Sequence, residues 1–219
     1  MLRWIRWTRY GRATTRYPQA PPTPQELGLL WPQALRSGPS PARSFCPTQA
    51  LQEDGSLLAS RCLACGLCAQ LDPEGYRMEV GFPPIEAKGP LPSPFRRSLH
   101  LLHFDGGSDG GEESELIQLQ SPPYDVGRLG IFFTPTPRHA DVLLVTGPVL
   151  EELREALLET YAAMPAPRWV VAFGTDAISG SLFAPHGVGA YLPVDLAIPG
   201  SPPSPLALLK GLLQLKEGR

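Results

Sequence analysis

The chain has 219 residues and a formal net charge of −2, and 42% of its residues are hydrophobic. Its 27 prolines and 22 glycines do not make it a disordered chain, because this hydrophobic content is enough to form a core. The near-neutral charge argues against nucleic acid as a partner. No apolar run approaches the roughly 18 residues of a spanning helix or has the layout of a signal peptide. We therefore expect one large or two small folded units that do not span a membrane.

The first 43 residues form a basic arm followed by a connector rich in proline. Residues 1–18 contain five arginines and no acidic residue, and Trp4, Trp7 and Tyr10 lie between the arginines. Aromatic and basic residues together favour an anionic membrane surface, but an acidic protein partner would suit the arm equally well. In residues 17–43 frequent prolines interrupt regular structure, so we expect an extended connector that wraps around a partner.

The four cysteines of the chain form a candidate metal site. Cys62, Cys65 and Cys68 are spaced three residues apart, and Cys46 precedes a proline upstream. A Cys-x-x-Cys-x-x-Cys run with a distant Cys-Pro is typical of a [4Fe–4S] cluster. Zinc is less favoured because structural zinc sites usually pair two Cys-x-x-Cys knuckles. Two disulfides are less favoured because three cysteines share one tight turn and nothing indicates an oxidising compartment.

This pattern resembles the bacterial ferredoxin family. Each half of such a ferredoxin carries Cys-x-x-Cys-x-x-Cys-x-x-x-Cys-Pro, and the last cysteine of each half crosses to the other cluster. Here Asp72-Pro73 replaces the second Cys-Pro, and the first half lacks its three-cysteine run. The resemblance implies that residues 44–88 hold one [4Fe–4S] cluster on the four remaining cysteines and have lost the other. Such a cluster exchanges single electrons, and a purely structural cluster is the alternative.

From about residue 98 the pattern changes to that of an α/β domain. Short apolar runs predict buried parallel strands at 99–104, 141–145, 168–173 and 189–194. A helix is predicted over 149–164, with Leu150, Leu153, Leu157 and Tyr161 on one face, and another over 205–216. The expected fold is an open parallel α/β sheet covering residues 95–219. Sites in such folds form on the loops after the strands, here at 105–115, 174–183 and 196–204.

About 120 residues of this domain resemble the cluster-bearing small subunit shared by respiratory complex I and the energy-converting nickel-iron hydrogenases. The resemblance rests on three stretches: SPPYDVGRLGIFFTPTPRHADVLLVTGPV, MPAPRWVVAFGTDAISGSLF and PVDLAIPGSPPSPLALLKGLLQL. It implies a flavodoxin-like sheet of the complex I small-subunit type. The N-terminal segment, including its basic start and the TRYP that follows, is similar to the ferredoxin-like subunit of formate hydrogenlyase-type complexes. The chain is therefore interpreted as a fusion of two neighbouring subunits.

The resemblance also places the family's own cluster ligands on the three loops. They fall on Asp109, Glu112, Asp176 and Ser201, none of which is a cysteine. Because carboxylates and a hydroxyl are poor ligands for a cubane, we expect no cluster there. Glu115 matches a glutamate of the family, and Asp105 and Glu113 add further acids. The loop either binds a hard metal through Asp109, Glu112 and Asp176 or, as we favour, pairs with a partner's arginines or faces water.

The four histidines, His100, His103, His139 and His186, make no ligand set with the cysteines and are interpreted as structural. The resemblance implies a non-catalytic, electron-relaying subunit held peripherally at the cytoplasmic face of a membrane. Its implied partners are a large-subunit homologue, membrane-arm subunits and an iron–sulfur or dehydrogenase subunit as electron donor. The alternatives are a structural adaptor in which the cluster is a staple, and a domain that helps line a quinone cavity.

Overall fold

The computed structural model describes residues 14–27 and 30–218, so most of the basic arm lies outside the described residues. The N-terminal part contains a two-stranded antiparallel sheet of β1 (Leu30–Ala34) and β2 (Tyr76–Val80). Two short helices, α1 (Pro24–Leu27) and α2 (Leu67–Leu71), and two 3₁₀ turns, Pro41–Phe45 and Ala59–Arg61, complete it.

The expectation of a connector without regular structure is wrong for residues 24–27 and 30–34. Trp31 is 1% exposed and packs with Ala50 and Cys62, so β1 gains a buried aromatic side chain and a full ladder with β2. Pro32 is compatible with this strand because both strands of a two-stranded sheet are edge strands. Tertiary packing therefore overrides the local effect of the prolines.

A six-stranded sheet in the order β3-β8-β7-β6-β4-β5 forms the centre of the C-terminal part. Its strands are β3 (Glu86–Ala87), β4 (Leu99–Asp105), β5 (Ile131–Phe133), β6 (Val142–Thr146), β7 (Trp169–Phe173) and β8 (Leu196–Ile198). Strands β4 to β8 are parallel, which confirms the α/β prediction. The sheet is not wholly parallel, however, because the two-residue β3 joins its edge antiparallel to β8.

Four helices accompany this sheet: α3 (Gly111–Leu119), α4 (Glu151–Ala163), α5 (Thr175–Ser179) and α6 (Pro205–Glu217). The two faces of the sheet carry separate cores. Helix α6 is buried over most of its surface, whereas α4 buries only Leu157 completely and leaves Leu150 37% exposed. The helix predicted over 149–164 is confirmed, but the apolar face expected for it is only partly buried.

The strand predicted over 189–194 is wrong. Residues Val188–Ala190 form a 3₁₀ turn, and the strand that pairs with β7 is Leu196–Ile198. Pro193 has no N–H to give to a ladder. The register is set instead by Asp195, whose N–H donates to the Val170 carbonyl at 2.8 Å while its carboxylate accepts from Val170 N–H at 2.9 Å.

Residues 14–18 lie against the α/β domain. The Thr15 N–H donates to the Pro123 carbonyl at 2.6 Å, and the Arg128 guanidinium donates to the Tyr17 carbonyl at 2.6 Å. The end of the arm is thus attached to the loop that carries the SPPYD sequence. None of the helices in the described ranges is long and apolar enough to cross a membrane.

Candidate metal centre and the neighbouring acidic pocket

All four cysteines line one cavity in the N-terminal part. Cys46 directly follows the Pro41–Phe45 turn, Cys62 and Cys65 come from the loop that leads into α2, and Cys68 lies in the first turn of α2. Cys62 is buried, Cys46 and Cys68 are half-buried, and Cys65 is exposed. No disulfide joins them. The fold thus brings the two separated cysteine stretches of the sequence to a single place.

The backbone around the cavity supports the sulfur atoms. Gly66 has a φ of +77° as N-cap of α2, which turns the chain so that Cys68 enters the helix directly after the loop. The Ala64 N–H donates to Cys62 Sγ at 3.3 Å, and the Ala50 N–H donates to Cys46 Sγ at 3.2 Å. Such backbone donors favour the thiolate over the thiol and tune a bound metal group.

Two of the four thiols have raised pKa values in this cavity. Burial, together with the charges of the other cysteines, raises the pKa of the Cys62 thiol to about 12, and burial also raises the pKa of Cys68. A metal that binds there must displace the protons of these thiols.

Four thiols are the donor set of an iron–sulfur cluster, but within the described ranges no three His, Cys, Asp or Glu side chains are arranged to hold a metal ion. The [4Fe–4S] site on these cysteines therefore stays a prediction.

The three predicted loops of the α/β domain meet at the carboxyl ends of β4, β7 and β8. The Thr175 N–H donates to the Gly200 carbonyl at 2.7 Å, and the Thr175 hydroxyl accepts from the Gly200 N–H at 3.1 Å. Glu112 lies against Gly174 so closely that a Cβ on that glycine would be 2.5 Å from Glu112 Oε1. The convergence expected for a site at this edge of the sheet is therefore confirmed.

Two carboxylates are buried where these loops meet. Glu112 is 2% exposed and Asp176 is 5% exposed, and Asp176 Oδ1 has no hydrogen-bond partner. Burial, reinforced by the charges of Asp176 and Asp109, raises the pKa of Glu112 to about 7. Burial also raises the pKa of Asp176. The pocket therefore favours protonated carboxyl groups.

The other two predicted members of this pocket, Asp109 and Ser201, are exposed. Asp109 Oδ1 accepts from the Gly111 N–H at 2.9 Å and caps its own loop. Neither these acids nor the four cysteines are arranged, within the described residues, as a group of three that could hold a metal ion. The favoured expectation that the loop acids face water holds for Asp109 but is wrong for Glu112 and Asp176. Two other acids of the loop have neighbours outside the buried pair. Asp105 accepts hydrogen bonds from two N–H groups of its own turn, and the charge of Glu115 contributes to the raised pKa of Tyr124.

Sequence reasoning missed a hydrogen-bond chain at the rim of the pocket. His103 Nε2 lies 2.9 Å from the Thr146 hydroxyl, which donates to Glu113 Oε1 at 2.5 Å. The second Glu113 oxygen accepts from the Ser108 hydroxyl. The parallel register of β4 and β6 brings the ends of these strands together. In the sequence, the positions of His103 and Thr146 near the ends of two predicted strands were the signal that could have indicated this contact.

One hydrogen bond joins the cysteine cavity to the acidic pocket. The Thr175 hydroxyl donates to the Cys62 carbonyl at 2.9 Å, and both residues are buried. Thr175 directly precedes Asp176, so the cysteine loop lies next to the place where the family resemblance puts the lost ligands.

The fold and the loop cluster define the class of this protein, an α/β protein whose loops converge at the carboxyl ends of a mostly parallel sheet. Residues 110–215 match the family described as NADH ubiquinone oxidoreductase, 20 Kd subunit. A probable membrane-bound hydrogenase subunit of Pyrococcus furiosus is 39% identical over 124 residues, which is 53% of this chain and 73% of that subunit. The chain belongs to the 20 Kd subunit family.

Two further similarities give the extent of the match. A subunit of the NADH-quinone oxidoreductase of Rhizobium etli is 40% identical over 107 residues, which is 47% of this chain and 64% of that relative. The chain thus spans slightly less than two thirds of that relative. A chain in the structure of the membrane-bound sulfane sulfur reductase, an archaeal respiratory membrane complex, superposes with a TM-score of 0.50 at 30% identity. This match covers 55% of the present chain and 70% of the other.

Proposed function

We propose that the protein is an electron-transfer iron–sulfur subunit of a membrane-associated complex I-like or hydrogenase-like assembly. It holds one [4Fe–4S] cluster on Cys46, Cys62, Cys65 and Cys68 and has no active site of its own. The observation that carries this proposal is the cavity lined by all four cysteines, which come from two separate stretches of the chain. The division we propose is residues 1–43 for the arm and connector, 44–88 for the ferredoxin-like part of the fusion and 95–219 for the small-subunit part. In the structure β1 extends the ferredoxin-like part upstream because it pairs with β2, and β3 joins the sheet of the small-subunit part.

A bound cluster would supply one-electron exchange at this place. The chain itself supplies four sulfur ligands and two backbone N–H groups that stabilise the charge on sulfur. The cavity is buried on one side and exposed to solvent on the other. Cys62 lies on the buried side against Thr175, whereas Cys65 lies on the exposed side. A redox partner therefore approaches from the Cys65 side.

The relatives support the setting of the proposal. They are named as subunits of an NADH-quinone oxidoreductase and of a membrane-bound hydrogenase, and the similar structure belongs to a respiratory membrane complex. We propose corresponding partners here: a large-subunit homologue, membrane-arm subunits and an iron–sulfur or dehydrogenase subunit as electron donor. The subunit is then peripheral, held in its complex at the cytoplasmic face.

We further propose that the α/β domain holds no cluster of its own. Two of the aligned positions are the buried acids Glu112 and Asp176, and the other two, Asp109 and Ser201, are exposed. The test is to measure iron and acid-labile sulfide in the purified complex and to subtract the content of any other iron-containing subunits. We expect about four irons for this chain. A value near eight would show that a second cluster is present.

The relay is tested by electron paramagnetic resonance and potentiometry on the purified complex during turnover. The expected result is a cluster signal that appears and disappears with substrate, and that Cys65→Ser removes or alters. Ser44→Ala, an exposed substitution in the same part, is the matched control and leaves the signal unchanged.

The second candidate function is a structural adaptor, favoured by the hydrogen bond that ties the cysteine loop to the α/β domain. In that case the cluster keeps one redox state throughout turnover, and Cys65→Ser disrupts assembly. Intact assembly with lost turnover would instead support the relay.

A further inference from the structure

The hydroxyl of Thr175 makes a contact of defined direction between the α/β domain and the cysteine cavity. Thr175 lies two residues after the end of β7, and its N–H donates to the Gly200 carbonyl at 2.7 Å. Its hydroxyl accepts from the Gly200 N–H at 3.1 Å and donates to the Cys62 carbonyl at 2.9 Å. Thr175 is 0% exposed, so bulk water does not compete for these hydrogen bonds. The α/β domain therefore sets both the position of the hydroxyl and the direction of its proton.

This contact fixes the orientation of the peptide between Cys62 and Leu63. The peptide is trans, so its carbonyl and its N–H point in opposite directions. Because the Cys62 carbonyl points to Thr175, the Leu63 N–H points away from Thr175. Leu63 lines the cysteine cavity, and its N–H has no acceptor among the described residues. A hydrogen-bond donor is thus available to a sulfur atom beside the thiols.

The loop between Cys62 and α2 needs an external contact to keep this shape. Ala64 has a φ of +55°, a left-handed conformation that residues with a Cβ rarely adopt. The Ala64 N–H donates to Cys62 Sγ at 3.3 Å, so a rotation of the peptide before it would also move this donor. The Thr175 hydroxyl holds that peptide from outside the loop.

We propose that Thr175 is a positioning residue that sets the reduction potential of the cluster on the four cysteines. By holding the Cys62 carbonyl, its hydroxyl keeps the Leu63 N–H directed to cluster sulfur. N–H donors to sulfur stabilise the added negative charge of the reduced state and so raise the potential. The α/β domain then acts on a cluster whose ligands all lie outside it. This inference rests on the proposed function and names a residue that tunes its redox centre.

The test compares Thr175→Val with Thr175→Ser in the full chain, after anaerobic reconstitution with iron and sulfide. Potentiometric titration followed by electron paramagnetic resonance measures the midpoint potential of the cluster. Valine has the shape of threonine without the hydroxyl, so the potential should fall and the signal of the reduced cluster should change. Serine keeps the hydroxyl and should restore both. The same potential in the Val, Ser and unsubstituted chains would overturn the inference.

Ser179→Ala is the matched control, because it removes one hydroxyl from the same helix, α5. The Ser179 hydroxyl donates to the Thr175 carbonyl at 3.0 Å and accepts from the Ser181 N–H at 3.2 Å, so both bonds lie within the α/β domain. This variant should leave the potential unchanged. A shift as large as that of Thr175→Val would mean that any loosening of α5 moves the potential, which would overturn the specific role of Thr175.

If Thr175→Val does not fold, a labelled variant with Thr175 intact decides. The chain has only Met1, Met78 and Met164, so Leu63→Met grown with ¹⁵N-methionine adds one labelled N–H at the cavity. Leucine and methionine are similar in volume, so the fold should be retained. Hyperfine spectroscopy of the reduced cluster should show a ¹⁵N coupling that the equally labelled unsubstituted chain lacks. A variant that holds the cluster without this coupling would overturn the inference.

The unsubstituted chain separates the two kinds of failure. If it gains no iron on reconstitution, the proposed function is wrong and the inference falls with it. If it gains about four irons and the potential does not depend on the Thr175 hydroxyl, only the inference is overturned.

Discussion

Asp72 and Asp176 are both buried aspartates, but their surroundings are opposite. Asp72 accepts hydrogen bonds from Arg36, Ser40 and the Gly75 backbone, and its pKa is lowered. Asp176 has an oxygen without a hydrogen-bond partner, lies near Glu112, and has a raised pKa. Both residues stand where the resemblances of the sequence place a lost cluster ligand. The carboxylate of Asp72 thus has a cation and hydrogen-bond donors within the chain, whereas one carboxylate oxygen of Asp176 has no hydrogen-bond partner.

The difference follows from the cost of burying charge. An ionised carboxylate away from water is tolerated when cations and donors surround it. Without cations and donors a buried carboxyl group keeps its proton to higher pH, so its pKa is raised. The pKa values of Glu112 and Asp176 are both raised. A carboxylate-to-amide substitution should therefore have opposite effects on the stability of the two regions.

The largest effect is expected for Glu112→Gln. At pH 9 the amide removes a charge from a buried site, so the free energy of unfolding should increase by about 2–3 kcal/mol. Denaturant unfolding of the full chain measures it. Glu155→Gln on the exposed face of α4 is the control and should stay within about 0.5 kcal/mol. A destabilised Glu112→Gln protein would mean that the carboxylate has a cationic partner.

The pH dependence sharpens the same comparison. Unfolded Glu112 releases its proton near pH 4.5, whereas the folded protein holds it to about pH 7. The folded state then binds more protons between these values, so stability decreases as pH rises from 4.5 to 7 and is constant above. Unfolding midpoints from pH 5 to 9 should show this slope, and Glu112→Gln should reduce it. An unchanged slope in the variant would assign it to other groups.

Thr175→Val tests the junction between the two regions. The substitution leaves the buried Cys62 carbonyl and the Gly200 N–H without their side-chain partner, which should cost about 1–3 kcal/mol. Thr175→Ser retains the hydroxyl and should recover most of the loss. Equal stability of the Val and Ser variants would show that the hydroxyl does not join the regions.

The smallest effect is expected for Asp72→Asn, because the Arg36 side chain is 45% exposed and water screens the pair. The sign is opposite to that of Glu112→Gln, since the amide weakens the ion pair. Because the pKa of folded Asp72 is lowered, its contribution is present above the ordinary value of 3.8 and is lost as the pH falls through the folded pKa. Unfolding at pH 7 and pH 3 checks this, and equal losses at both values would contradict it.

Local pattern was sufficient for much of the fold. The apolar runs gave strands β4, β6 and β7, and the helical periodicity gave α4 and α6. The local pattern failed at β1, where the burial of Trp31 stabilises a strand in spite of the proline next to it. It also failed at 189–194, where Pro193 cannot donate to a ladder and the strand forms after it, at β8. It also missed β3, because two residues carry no periodicity.

The sequence by itself determined where the cysteines lie, and from their spacing and the Cys-Pro it predicts the type of ligand and the grouping. The resemblances also predict which positions carry another residue in place of a cysteine. Only the tertiary structure decided what surrounds each of these residues. Ion pairing and burial depend on neighbours far apart in sequence. Asp72 therefore pairs with Arg36, whereas the charge of Asp176 raises the pKa of Glu112.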